Sequence, residues 1–452
     1  MIQSAFSGGD TIFALATAQG RAGVAVMRLS GPAAGAAALR LSGRSALPVP
    51  RRAVRCALSD PESGEALDDG LLLWFPGPGS FTGEDVAELH IHGGRATVEA
   101  VAGALSRFGL RPAEPGEFSR RAFLAGRIDL TAAEAMADLV DAETDAQRRQ
   151  ALRQLGGGLA ATLEAWRGRL IDLLAHTEAW IDFPDEDLPE GVGEAARAGV
   201  AALGVEIAGF LADNRRGERL RHGFRIAIVG APNVGKSSLL NAVAARDVAI
   251  VSETAGTTRD VIEVHLDLGG WPVTIADTAG LREAADEIER EGVRRALDRA
   301  GEADLRLVVF ASGYETDAAS LGVLAQDPAT AIAVVNKIDL GGGNPEALAS
   351  FRPLAVSART GAGLPELLTA VETAAAAALG GGAAEGAPLT RLRHRMALEN
   401  CLAALERART AAEAELMAED LRLAARALGR ITGRVDVEDL LDAIFRDFCI
   451  GK

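Results

Sequence analysis

One octapeptide constrains this chain more than any other segment. Gly230-Ala231-Pro232-Asn233-Val234-Gly235-Lys236-Ser237 follows the apolar run Phe224 to Val229 and precedes Ser238 to Ala245, which has helical spacing. A GxxxxGK[ST] loop between a strand and a helix binds phosphate. Its glycines let successive backbone N–H groups turn inward around phosphate oxygens at a helix N-terminus. Lys236 is then placed to neutralise the β- and γ-phosphates, with Ser237 a ligand of Mg2+. A chance Gly-rich turn is the alternative, and the flanking strand and helix argue against it. Such a loop needs a sheet to carry it. Strand-like runs recur at Val261 to Leu268, Val273 to Ile275, Leu305 to Phe310, Ile332 to Val335 and Leu354 to Val356, most of them separated by helical stretches. That alternation predicts a parallel sheet covered by helices.

The downstream signals specify the base. Asp277-Thr278-Ala279-Gly280 closes a strand, where Asp277 can reach Mg2+ through water and the Gly280 N–H can sense the γ-phosphate. Asn336-Lys337-Ile338-Asp339 closes another; the Asp339 carboxylate offers the acceptor pair that suits guanine N1–H and its 2-amino group, which adenine lacks. Ser357-Ala358-Arg359 is similar to the loop that supports guanine O6. Each tetrapeptide alone also reads as a solvated loop, but together, each after its own strand, they point to GTP and Mg2+ rather than ATP. Leu281 stands where Ras-like GTPases place a water-orienting glutamine, and an apolar residue cannot position water. Backbone carbonyls of the Ser252 to Asp260 loop, with the Asn233 side chain, could hold a monovalent cation in place of an arginine finger. Asp286, Glu287 and Glu289 offer carboxylates to orient water, or form a solvated helix face.

The rest of the chain divides by texture. Residues 1–118 alternate short β-type runs with Gly/Pro turns and one helical stretch, Arg95 to Phe108; residues 119–221 shift to helical spacing; residues 222–379 form the α/β block; residues 380–452 open on the Gly380-Gly381-Gly382 linker and return to helical periodicity. This is the pattern of an α/β domain inserted into a discontinuous helical one. With 48% hydrophobic and 24% charged residues the chain is globular rather than disordered. No apolar run reaches a membrane-spanning length, and the N-terminus lacks signal-peptide features, so a cytoplasmic protein is expected. Cys56, Cys401 and Cys449 lie too far apart for a CxxC zinc or redox site. A formal charge of −16 disfavours tight, solitary RNA binding and favours a basic protein partner.

Across nearly its whole length the chain resembles the tRNA modification GTPases of the MnmE (TrmE) family. The resemblance rests on Gly230 to Ser238, Gly256-Thr257-Thr258-Arg259-Asp260, Asp277 to Arg282, Asn336 to Asp339, Ser80-Phe81-Thr82-Gly83-Glu84-Asp85, Pro115-Gly116-Glu117-Phe118 and the terminal Phe448-Cys449-Ile450-Gly451-Lys452. It implies a multidomain α/β + α fold: an N-terminal α+β folate-binding-like domain that makes a homodimer, a discontinuous helical domain, and an inserted Ras-like P-loop GTPase domain. It implies GTP contacts from Asn233, Val234, Gly235, Lys236, Ser237, Ser238, Ser252, Thr257, Asp277, Gly280, Asn336, Lys337, Asp339, Ser357, Ala358 and Arg359. Mg2+ would be held by Ser237 and Thr258, and K+ by the side chains of Asn233 and Thr257 and the carbonyls of Ser252 and Thr254. Lys236 and Glu289 would be catalytic, Glu289 by orienting the attacking water. A 5-formyl-tetrahydrofolate-type cofactor would meet Arg28, Glu88, Arg127 and Lys452, with Cys449 near a one-carbon site. Arg127 stands where the family commonly has Lys, which keeps the charge and exchanges a point contact for a planar fork. The implied partners are the FAD-containing protein MnmG, in a heterotetramer, and tRNA, met mainly through MnmG. The implied reaction puts an aminomethyl or carboxymethylaminomethyl group on the wobble uridine.

Two other functions fit parts of the sequence. One is a ribosome-assembly GTPase acting as a checkpoint, though neither flank supplies the usual basic RNA-binding module. The other is a folate enzyme with a regulatory GTPase insert that touches no RNA. Cys449 could instead be a free buried thiol, and Cys-Ile-Gly-Lys does not suit prenylation. His90 and His92 share a strand face without nearby third ligands, so a metal pair is the weaker reading. Trp166 and Trp180 read as core or interface residues.

Overall fold

The computed structural model describes residues 9–182, 192–213, 215–246, 248–250, 263–277, 303–380, 388–435, 438–446, 448 and 451. They form two compact units, one of residues 1–137 with 426–452 and one of residues 138–425.

The first unit is built on a six-stranded sheet. In chain order it has β1 (Ile12–Leu15), β2 (Ala22–Ser30), α1 (Ala34–Ser42), β3 (Val54–Ser59), β4 (Ala66–Phe75), β5 (Val86–Gly93), α2 (Arg95–Arg107), β6 (Arg111–Pro112) and α3 (Glu117–Leu124). The strand order is β3-β4-β5-β2-β1-β6, antiparallel except for the parallel β1–β6 pair. β2 alternates as a half-buried strand must: Ala25, Met27 and Leu29 enter the core while Val24, Val26 and Arg28 face the other way. α1 and α2 cover the apolar face with Ala34, Ala37, Ala38, Leu41, Val101, Ala104 and Leu105. A satellite core of Leu130, Ala133, Leu441, Phe445 and Phe448 joins the start of α4 (Leu130–Val140) to the C-terminal segment.

The second unit continues with α5 (Asp145–Leu155), α6 (Gly158–Asp182), α7 (Val192–Leu211), α8 (Arg216–His222), β7 (Phe224–Val229), α9 (Lys236–Ala244), β8 (Ala249–Ile250), β9 (Glu263–Leu268), β10 (Trp271–Asp277), β11 (Leu305–Ala311), α10 (Ala318–Gln326), β12 (Ala331–Asn336), β13 (Leu354–Ala355), α11 (Leu364–Leu379), α12 (Leu392–Thr410) and α13 (Ala414–Thr432); α14 (Glu438–Arg446) belongs to the first. Its seven-stranded sheet runs β13-β12-β11-β7-β10-β9-β8. Every residue of β11 is buried, as expected for a strand covered on both faces. The sheet is parallel from β13 to β10, as expected, and adds an antiparallel edge. β10 pairs antiparallel with β9 because Gly269 and Gly270, both at positive φ, close a two-residue hairpin, and β9 also pairs antiparallel with β8.

Helix α7 packs against both α6 and α12, and Leu163, Trp166, Leu170, Val200, Leu203, Ile207, Leu398, Cys401 and Leu405 are buried on the three. Trp166 is a core residue as expected, with its indole N–H on Glu206 (2.7 Å) and its ring edge-on to Phe210. The sequence reading found no membrane-length segment, yet Gly193–His222 passes by length and hydropathy. Ala196, Val200, Leu203 and Ile207 form a single buried stripe along it, the pattern of an amphipathic helix packed on one face. The chain enters β7 and leaves α11 through one clasp: Arg221 Nε and Arg391 Nη2 both donate to Asp138 Oδ1, at 2.8 and 2.7 Å.

Candidate functional site

β7 delivers the chain to the loop 230–235, and α9 begins at Lys236. Asn233 and Gly235 take positive φ (+62° and +96°), which curls the loop back on itself. A Cβ on Gly235 would collide with the Asn336 side-chain amide, so both the angle and the close approach call for glycine. Val234 is buried beneath the loop while Ser237 and Ser238 face solvent. Lys236 Nζ donates to the carbonyls of Gly230 and Ala231, 2.9 Å each, which holds the ammonium over the loop.

The base end is assembled by β12 and β13. Asn336, 1% exposed at the end of β12, donates through Nδ2 to the Val234 carbonyl (3.1 Å) and accepts at Oδ1 from the Ala358 N–H (3.0 Å). One side chain therefore ties the phosphate loop to the 357–359 loop. Ser357, fully buried, donates its hydroxyl to Asp339 Oδ1 (2.7 Å) and accepts from the Thr360 N–H. Asp339 Oδ2 lies 3.8 Å from the Arg359 guanidinium. The carboxylate is thus oriented by one donor and keeps further lone pairs, which is what two guanine N–H donors require. Lys337, at φ +63°, crosses back to donate to the Asn233 carbonyl (2.5 Å) and lies 5.8 Å from the centre of the Tyr314 ring. Ser312, after β11, fixes the turn that follows Asp339 by sharing its hydroxyl proton between the carbonyls of Gly341 and Gly343. The sequence reading attached no such clamp to Lys337, and missed Ser312 and Tyr314. A signal existed: Lys236, Lys337 and Lys452 are the chain's three lysines.

Asp277 closes β10, and its backbone sits opposite Ile228 of β7, beside the start of the phosphate loop. Its side chain lies outside the described residues, as do Ser252, Thr254, Thr257, Thr258, Gly280, Glu289, Cys449 and Lys452.

A second constellation sits on the six-stranded sheet. β2 and β5 pair with Arg28 opposite Glu88, and Arg28 Nε donates to Glu88 Oε1 at 3.0 Å. Arg28 Nη1 reaches the Gly451 carbonyl (3.4 Å), and the guanidinium lies 5.8 Å from the Phe118 ring centre. The structure thereby gathers Arg28, Glu88 and the C-terminal segment. Arg127 is exposed after α3, its stem passing Gly83. His90 Nε2 stands 3.4 Å from Glu88 Oε2, whereas His92 pairs with Asp68, and no group of three metal-capable side chains occurs among the described residues.

Beside this pair the two N-terminal motifs meet in an ion cluster. Arg121, 8% exposed, donates to Asp10, Glu84 and Glu117, and Arg111 donates to Asp10 and Glu117. Ser30 donates to Glu84 Oε2 at 2.6 Å. Burial alone would raise the Glu117 carboxyl; hydrogen bonds from Arg111, the Glu114 amide and Arg121 outweigh it and hold the group below its ordinary value. Asp10 is lowered in the same way, burial being overcome by Arg111 and Arg121.

The family model of the MnmE helical domain matches residues 130–449, and that of the GTP-binding protein TrmE N-terminus matches residues 11–127. A Rhodospirillum rubrum protein named tRNA modification GTPase MnmE is 59% identical, covering 98% of this chain and 99% of its own. A Paramagnetospirillum magneticum protein of the same name is 58% identical over 98% of this chain and all of its own. The chain belongs to the MnmE family. As a tRNA modification GTPase of that family, it carries its phosphate loop and base loops on the seven-stranded sheet and the TrmE N-terminal part on the six-stranded one.

Proposed function

We propose that this chain hydrolyses GTP, with K+ stimulation, to drive modification at C5 of the wobble uridine of certain tRNAs. With the FAD-containing MnmG it adds an aminomethyl or carboxymethylaminomethyl group drawn from a tetrahydrofolate one-carbon unit. The observation that carries the reading is the joining of phosphate loop and base loops through Asn336, in a chain of the MnmE family. Residues 1–118 dimerise and bind the folate, residues 119–221 and 380–452 form the helical domain, and residues 222–379 form the GTPase domain. The reaction is cytoplasmic.

Roles follow the chemistry of each group. Lys236 and the loop amides bind the phosphates, Ser237 and Thr258 hold Mg2+, and Asp277 reaches it through water. Asp339 reads guanine while Ser357, Ala358 and Arg359 form the loop at O6. Asn233 and Thr257, with the Ser252 and Thr254 carbonyls, hold K+, which supplies positive charge where Leu281 and the missing arginine finger supply none. Glu289 orients the attacking water. Arg28, Glu88, Arg127 and Lys452 hold the folate, with Cys449 beside it. The Arg28–Glu88 pair supports this reading: a guanidinium and a carboxylate, both partly exposed, suit a ligand with acidic and amide groups.

The test combines hydrolysis and product. Purified chain with MnmG, GTP, the folate and a tRNA transcript should give a mass increase at the wobble uridine, faster in K+ than in Na+. Glu289→Ala should cut the hydrolysis rate by about 10²–10⁴-fold with GTP affinity nearly unchanged. Equal rates in the two salts would remove the cation assignment, and an unchanged uridine would remove the whole reading.

A further inference from the structure

We propose that the arginine-rich edge formed by the α1–β3 connection is a docking surface for the phosphate backbone of the tRNA substrate, next to Arg28 and Glu88. The inference rests on the tRNA-modification reading and adds a direct RNA contact to it. Residues 11–59 hold seven arginines and no Asp, Glu or Lys, in a chain of net charge −16. Arg44, Arg51 and Arg52 of this stretch are exposed and make no ion pair among the described residues. Arg55, on the edge strand β3, is paired with Asp69 at the surface, and Arg40 lies over the Phe108 ring at 4.2 Å.

The loop that presents them is built rather than slack. Arg51 adopts the left-handed backbone at φ +62°, a conformation that costs about 1 kcal/mol or more for a residue with a Cβ. Its N–H donates to the Trp74 carbonyl (2.8 Å) and its Nη2 to the Gly79 carbonyl (2.6 Å), which anchors the turn on the end of β4. A protein interface mixes signs, whereas a polyanion rewards a uniform positive field.

Register supplies the second argument. Glu88 lies opposite Arg28 on one side and Leu73 on the other, and Leu72 lies opposite Val54 at the start of β3. The row through Arg28 therefore reaches the chain next to Arg52 after three strand spacings, about 14 Å. A short splayed stretch of RNA can span that gap with its phosphates on the arginines and a base beside the folate held at Arg28 and Glu88.

The test measures binding of an unmodified tRNA transcript with a wobble uridine to the full chain at several salt concentrations. The Arg44→Ala/Arg51→Ala/Arg52→Ala variant should bind more than about tenfold more weakly at low salt, with a slope of log K against log salt shallower by about two to three. Arg21→Ala, at the opposite end of the same sheet, should bind as wild type. Wild-type affinity and slope in the triple variant would overturn the proposal. If the triple variant melts early, Arg44→Glu, which leaves the Arg51 contacts in place, should show the same loss, and its failure to do so would overturn it equally. Loss of self-association or of MnmG binding with tRNA affinity intact would also overturn it, marking a protein interface. Nucleoside analysis of tRNA from cells lacking the chain separates the two levels. An unmodified uridine there with no salt-slope change here defeats this inference alone; an unaffected uridine defeats the reading beneath it.

Discussion

In the seven-stranded sheet the side chains that surround the nucleotide site stand on loops after the C-terminal ends of parallel strands. In the six-stranded sheet Arg28 and Glu88 stand in mid-strand and meet only because β2 pairs with β5 in one register. The first site is made of contiguous strings at strand ends, brought together by tertiary ties: Asn336 spanning two loops, Ser357 holding Asp339, and Lys337 clamped on the phosphate loop. The second is made of single residues on paired strands and leans on a neighbouring ion cluster that joins Asp10, Glu84, Arg111, Glu117 and Arg121. The difference teaches that two sites in one chain can depend on different levels of structure, loop geometry in one and sheet register in the other.

The sharpest way to separate them is Asp339→Asn. The amide keeps a partner in Ser357 but loses one of the acceptors that guanine needs, so affinity for GDP should fall about 10²-fold or more. Xanthosine diphosphate, which presents an acceptor in place of the 2-amino group, should bind better than to wild type. Folate binding and the stability of the six-stranded sheet should not change. Competition titration with GDP, XDP and ADP reads the outcome, and equal wild-type affinity for ADP and GDP would break the loop-site account.

A smaller effect is expected from Arg28→Ala. It leaves the Glu88 carboxylate, 17% exposed at its side chain, with His90 as its remaining neighbour. The six-stranded sheet should lose about 1–3 kcal/mol in urea unfolding, with GDP affinity unchanged. A change in GDP affinity would show that the two sites are not independent.

The smallest effect is a pH difference between the sheets. Glu117 and Asp10 have lowered carboxyl pKa values in the folded state, so their contribution is present above the ordinary values of 4.5 and 3.8. It is lost as pH falls below those values through the folded ones. Hydrogen exchange on acidification should therefore expose β1 and α3 before β7 and β11. Simultaneous loss of protection would contradict a special role for the ion cluster.

The same contrast decides what the sequence could reveal. The phosphate loop, Asn336 to Asp339 and Ser357 to Arg359 are contiguous strings after apolar runs, and β7 runs from Phe224 to Val229 as read from the chain. The antiparallel edge has its own signal in Gly269-Gly270, a two-residue hairpin pair between the apolar runs of β9 and β10. In the first unit β1 and β3 carry weak signals. Ile12–Leu15 is only four residues long, and Val54–Ser59 carries its apolar pattern through Cys56 and Leu58. The strings around Glu84 and Glu117 mark the family, yet their physical link through Arg121, one helical turn from Glu117, depends on Glu84 arriving from 37 residues away. The tie from Lys337 to the Asn233 carbonyl is equally a product of tertiary structure.

The most direct measurement is nucleoside analysis of total tRNA from a strain lacking this chain, complemented with wild type or with Lys236→Ala. The account predicts wobble uridines without the C5 group in the deletion, restored by wild type and not by Lys236→Ala. Unchanged wobble uridines in the deletion strain would contradict it.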